Sequence, residues 1–145
     1  MTGTIDNAAP QVITDLKHDA LQLGFTNDSG AALSEGQEVI LKTAGTVDKR
    51  SSGTTKPIGI VIKGGANAAR VTVRTCFTAV LNGIAKGGTI NAGTYVKPNG
   101  TLASDGKPQY VAAASGDYSL AIVVKGGVVD SEIKIAILDS PVLLP

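Results

Sequence analysis

The residues of this chain that could do chemistry are few and stand apart. The single histidine, His18, precedes Asp19, a pair that could serve as a base and its orienter or as two metal ligands. Nucleophilic triads and metal centres need further groups at fixed geometry, and none accompanies this pair, so His18 reads as a solvated loop or helix-end residue. The single cysteine, Cys76, sits beside Phe77 in an alternating apolar run. There it reads as a small buried apolar residue rather than a nucleophile. With no second thiol it closes no intrachain disulfide and completes no Cys/His metal site, which fits a reducing compartment or indifference to redox.

Glycine-rich stretches invite a phosphate-loop reading, and Gly100 through Gly106-Lys107 comes nearest. Its spacing is one residue too long, and Pro108 stands where Ser or Thr would meet the metal. Gly83-Ile84-Ala85-Lys86-Gly87-Gly88 lacks the strand-to-helix setting that aims backbone N–H groups at phosphate. These glycines read as turns. Asp48, Asp105, Asp117, Asp130, Glu132 and Asp139 are scattered and never form the alternating loop of a calcium site. Asp48-Lys49-Arg50 and the Arg70, Arg74 pair read as solvated faces rather than a nucleic-acid footprint. With no Trp, three Tyr and two Phe, the chain has no adequate platform for stacking bases or sugars. No cofactor or metal is expected. Two glycosylation sequons, Asn27-Asp28-Ser29 and Asn99-Gly100-Thr101, have no expected route to a glycan.

The elements that would position any site repeat themselves. Gly59-Ile60-Val61-Ile62-Lys63-Gly64-Gly65 returns as Ala121-Ile122-Val123-Val124-Lys125-Gly126-Gly127. The alternating run Arg70-Val71-Thr72-Val73-Arg74-Thr75 returns, at the same offset, as Glu132-Ile133-Lys134-Ile135-Ala136-Ile137. Upstream, Gly36-Gln37-Glu38-Val39 with Gly45-Thr46-Val47 matches Gly93-Thr94-Tyr95-Val96 with Gly100-Thr101-Leu102. A repeat of this length is a structural unit rather than a site. Because equal phase in a period-two pattern puts equal positions on one face, Ile60, Val61, Val71 and Val73 are expected to be equivalent to Ile122, Val123, Ile133 and Ile135.

Strands are expected at 37–42, 57–63, 69–81, 94–97, 109–113, 118–125 and 131–138, bounded by Gly, Asn, Asp or Pro. The 69–81 run exceeds the usual length, so it should bend or bulge. The short Gly-Gly connections favour antiparallel hairpins. No helical period is sustained after Leu16. The expected fold is all-β, a β-sandwich or small β-barrel built from two pseudo-repeated lobes. The expected organisation is an N-terminal arm at 1–18, a β domain at 19–139 with repeats at about 36–81 and 93–138, and an apolar tail at 140–145.

At 145 residues the chain suits one domain or two small lobes sharing a core. Hydrophobic residues make up 43% and aromatics 3%, so Val, Ile, Leu and Ala must supply the burial. A formal net charge of +1 provides no field to draw in nucleic acid or anionic lipid. The N-terminus lacks a secretory pattern, and no stretch approaches the roughly 18 apolar residues of a membrane span. A soluble protein made in the cytoplasm and used without processing is expected.

The glycine-then-strand steps at Gly36-Gln37-Glu38-Val39-Ile40 and Gly93-Thr94-Tyr95-Val96, each followed by a Gly-Thr hairpin, carry a resemblance. So do Pro57-Ile58-Gly59-Ile60-Val61, Leu120-Ala121-Ile122-Val123 and the Val-x-Val or Ile-x-Ile strands after them. Over about residues 20–138 the chain resembles the small Gly/Ala/Val-rich capsid-decoration, or cement, proteins of tailed bacteriophages. The resemblance implies a structural virion protein on the outside of an icosahedral head, bound to the major capsid protein, often as trimers and without catalytic residues. The alternative is a non-catalytic adhesive or receptor-binding β-domain of a fibre or cell surface. An enzyme would need clustered acid, base or metal ligands.

Two further expectations concern association. A small β-protein leaves sheet edges that natural proteins cover, which favours a homo-oligomer, a trimer by the resemblance. At the C-terminus, Asp139-Ser140-Pro141 should end sheet pairing, leaving Val142, Leu143 and Leu144 to dock on a neighbouring subunit or the capsid. The other course for that tail is to fold back on its own core.

Overall fold

The computed structural model describes residues 21–43, 45–75 and 79–145. The expected arm at 1–18, His18, Cys76 and Phe77 lie outside the described residues. The strands are β1 (Leu21–Asn27), β2 (Glu38–Thr43), β3 (Thr46–Lys49), β4 (Gly59–Lys63) and β5 (Arg70–Thr75), then β6 (Ala79–Ala85), β7 (Tyr95–Leu102), β8 (Pro108–Ala112), β9 (Tyr118–Lys125) and β10 (Glu132–Leu143). No helix interrupts them among the described residues. The all-β expectation is met, and of its two forms the barrel is the one adopted.

Each repeat closes on itself. The first five strands form a barrel in the order β1-β3-β2-β4-β5, the last five a barrel in the order β10-β6-β8-β7-β9. In both, the first strand runs parallel to the third and antiparallel to the fifth, which seals the cylinder. Hairpins β4–β5 and β9–β10 are antiparallel, as the short Gly-Gly connections require.

The alternating runs explain the cores. Period-two strands put every second side chain inside, and a small barrel is filled by its own side chains. Val39, Val47, Val61, Val71 and Val73 fill the first with Leu33. Val96, Ala121, Val123, Ile133, Ile135 and Ile137 fill the second, with Tyr110. Cross-strand pairs Val61–Val73 and Val123–Ile135 occupy the same place in the two barrels, so the expected equivalence of these positions holds.

The repeated Gly-Gly has a steric cause. A Cβ on Gly64 would collide with the Leu33 carbonyl, and one on Gly126 with the Ile90 carbonyl. The next glycine then exchanges both backbone hydrogen bonds with that residue, Leu33 with Gly65 at 2.9 and 3.0 Å and Ile90 with Gly127 at 2.9 and 3.0 Å. Even a rare backbone state is duplicated. Ala68 and Asp130 have φ of 67° and 64°, a region that disfavours side chains, and their N–H groups bond Asn27 O and Ala85 O at 2.7 and 2.8 Å.

The described parts of the run expected at 69–81 fall in different barrels, Arg70–Thr75 in the first and Ala79–Leu81 in the second, and β1 and β6 take equivalent places in them. Two expectations need correction. Closure removes the exposed sheet edges among the described strands, since every one has two neighbours. Finally, β10 does not stop at Asp139. A register shift between Ile137 and Val142 absorbs Pro141, after which Val142 pairs with Ser119 and Leu143 with Tyr118. A bulge is where proline is tolerated in a sheet.

Candidate contact surfaces and the junction between the barrels

The junction is built from the outer wall of the first barrel. Since Val39 and Val61 point inward, their neighbours Glu38 and Ile60 must point out. Both are nonetheless buried, because the second barrel lies over them. Ile60 joins the apolar cluster of that second barrel, with Leu120 and Ile137.

Beside it sits a fully buried ion pair. Arg50, only 1% exposed, donates from Nη1 to Glu38 Oε1 at 2.6 Å. Its Nε donates to Ser52 O at 3.1 Å and its Nη2 to Gly53 O at 2.9 Å. The same Nη2 reaches Tyr118 O in β9 of the second barrel, and Tyr118 N returns a bond to Gly53 O at 2.7 Å. One guanidinium thus satisfies carbonyls from both barrels, which its planar fork of donors permits. The expectation that Lys49 and Arg50 form a solvated face is overturned: Arg50 is in the interior, and Lys49 Nζ donates to Gly100 O of β7 at 2.9 Å.

Glu38 Oε2 and the Tyr110 hydroxyl are buried without a hydrogen-bond partner among the described residues. They line one cavity of about 10 Å³ between Gly36, Arg50, Pro98 and Pro108, close to the room one water needs. Burial raises the Glu38 carboxyl to about 7, outweighing the Arg50 charge and hydrogen bond that pull it down. Burial, then the Glu38 charge, holds the Tyr110 phenol well above its ordinary value. A second buried anchor lies nearby. Asp117 meets Lys97 Nζ at 2.7 Å and accepts from Ala114 N at 2.7 Å. The Lys97 hydrogen bond, then that backbone N–H, lower its pKa.

The sequence could have signalled this junction through the places where the repeats disagree. Glu38 and Arg50 correspond to Tyr95 and Ala113, because Arg50 N bonds Glu38 O at 3.0 Å and Ala113 N bonds Tyr95 O at 2.9 Å. Charged residues in one copy against uncharged ones in the other mark a wall used differently.

The apolar tail is fixed through its backbone and open at its side chains. Leu144 N bonds Asp117 O at 2.9 Å and Gly116 N bonds Leu144 O at 3.0 Å. Val142 is 37% and Leu143 54% exposed, while Leu144 is half-buried. The tail therefore folds back on its own chain and keeps an apolar outer side. The glycine stretches at 83–88 and 100–107 serve β6, β7 and their turns. Lys107 is engaged by Glu132 at 2.8 Å and Asp105 at 3.0 Å. No group of three or more His, Cys, Asp or Glu side chains capable of holding a metal ion forms among the described residues.

Tandem five-stranded barrels packed through such a junction define a class of fold rather than an activity. Among solved structures, the N base of the head fiber gp8.5 of bacteriophage phi29 is similar, with a TM-score of 0.52 and 13% sequence identity. The alignment covers 86% of this chain and 98% of that one. At that identity the likeness is one of fold. No protein-family model and no curated protein sequence matches the chain.

Proposed function

We propose that the chain is a structural, non-catalytic component of a tailed-phage head, bound to the outer capsid surface through the major capsid protein and present there as a homo-oligomer, a trimer by the resemblance. The observation that carries this reading is the fold likeness to a phage head-fiber base over nearly all of that chain. It is supported by the polar side chains of the described residues, which are engaged in packing and ion pairs. Val142 and Leu143, held in place by their backbone and exposed at their side chains, are the proposed contacts with the capsid or a neighbouring subunit. Nucleic acid and membrane are not partners in this reading.

A fibre-borne adhesive domain is the second reading, favoured because the similar chain is itself the base of a fibre. Mass spectrometry of purified particles, with immunogold labelling, separates the two. High copy number with label over the head exterior is the expected result. Absence from particles overturns the proposal, and label confined to tail fibres favours the second reading.

A further inference from the structure

The repeat carries both halves of the contact between its barrels twice, and in each case one half is used and one is left over. Across the outer wall of the first barrel the register places Gln22 beside Arg74, Arg74 beside Ile60 and Ile60 beside Glu38. Barrel two covers the Ile60 and Glu38 end of this row. Across the second barrel the equivalent row is Val80, Ala136, Ile122 and Tyr95. There Val80 is 62% exposed, the other three are half-buried, and an open depression lies over Val80, Ala136 and Leu138. The charges are gone: where the first row has arginine and glutamate, the second has alanine and tyrosine.

The covering half is duplicated in the same way. The second barrel presents its β7–β8 hairpin to the first, with Pro98 lining the cavity beside Glu38. Pro98 pairs with Tyr110, and at the corresponding place in the β2–β3 hairpin Leu41 pairs with Val47. Leu41 is 54% exposed. A leucine thus stands ready on the hairpin of one barrel, and an apolar row on the wall of the other.

We propose that the β2–β3 hairpin of a second copy, with Leu41 at its centre, docks on the Val80–Ala136–Ile122–Tyr95 wall, so that the contact inside the chain is repeated between chains. The inference rests on the homo-oligomer in the proposed function and names its interface. Such a contact is heterologous: it joins different patches, and it closes into a ring or runs on as a filament according to its rotation. Apolar meets apolar, so the contact strengthens with the area removed from water.

The test is a mixing experiment on the full chain, using Leu41→Asp and Val80→Asp. Both side chains are exposed, so the melting temperature of each variant should match the wild type; Leu41→Ser and Val80→Ser replace any variant that does not fold. A charge placed in a desolvated contact is costly, so each variant alone should associate about tenfold or more weaker than wild type by analytical ultracentrifugation. Mixed together, they should form a one-to-one dimer, because one retains an intact wall and the other an intact hairpin. Variants that keep the wild-type mass, or a mixture that stays monomeric, overturn the inference. A monomeric wild type also overturns it, whether the wall is covered by residues 1–20 of the same chain or only by coat protein. Loss of head binding with the oligomer intact would instead count against the proposed function alone.

Discussion

The Arg50 guanidinium of the first barrel donates to the backbone carbonyl of Tyr118, the first residue of β9 in the second. Because that guanidinium also pairs with Glu38, the ion pair on the outer wall of one barrel and the bond between barrels are a single unit. Disturbing either end disturbs the junction.

Arg50→Ala should therefore cost about 3–5 kcal/mol, the loss expected when one partner of a buried pair is removed and the other stays. Replacing both, as Glu38→Leu with Arg50→Met, should recover most of it, since buried pairs exchanged for packed apolar groups are often near neutral. Urea unfolding of Arg50→Ala and of the double variant measures this directly. A double variant as unstable as Arg50→Ala would show that the carbonyl contacts of Arg50, rather than its charge partner, hold the junction.

The raised Glu38 carboxyl carries a pH signature. A group that binds its proton more tightly in the folded than in the unfolded state contributes stability at low pH, lost as pH rises through its folded value. Between about 4.5, its ordinary value, and about 7, the Glu38 contribution should decline by an amount on the order of 1–3 kcal/mol. Glu38→Gln should flatten that part of the stability profile followed by chemical denaturation across pH. An unchanged slope would mean that Glu38 remains ionised throughout.

Ala68 occupies the left-handed region at φ 67°, where glycine carries no steric penalty. Ala68→Gly should raise stability by about 0.5–1 kcal/mol, less the extra entropy glycine has when unfolded. Gly64→Ala should do the reverse and more strongly, because its Cβ would strike the Leu33 carbonyl. Thermal melts of the two variants should shift in opposite directions.

At the C-terminus, Val142→Asp and Leu143→Asp should leave the melting temperature within about 2 °C of wild type, as exposed substitutions usually do, while weakening attachment to heads. Deleting residues 141–145 should lower the melting temperature as well, since it removes the pairing with Ser119 and Tyr118. Co-sedimentation with heads lacking the protein, alongside calorimetry, separates the two effects. Undiminished attachment of both point variants would exclude the tail as a contact.

The barrels were legible because their cores obey one short rule. Alternating Val and Ile placed 118–125 as a strand, and the structure has Tyr118–Lys125; the repeat predicted the equivalence of Val73 and Ile135. Pairing order was not legible, because the parallel β1–β3 and β6–β8 contacts join segments that no local pattern links. Arg50 was misplaced for a related reason: a charge is read as solvated until a partner distant in sequence is found, and its partners are Glu38 and Tyr118. Pro141 misled because proline halts a regular ladder, whereas here a bulge carries the strand past it.

Closure of each barrel by its own first and last strands has a consequence for synthesis. On the ribosome the first barrel has all five of its strands once Thr75 has emerged, whereas the wall bearing Ile60 and Glu38 gains its cover only after the β7–β8 hairpin and Tyr118 follow. During that interval the nascent chain offers a bare docking wall to any finished neighbour. Translation through residues 76–118 thus sets a race between correct packing in cis and mispairing between adjacent chains on one message, a hazard common to tandem domains of like shape.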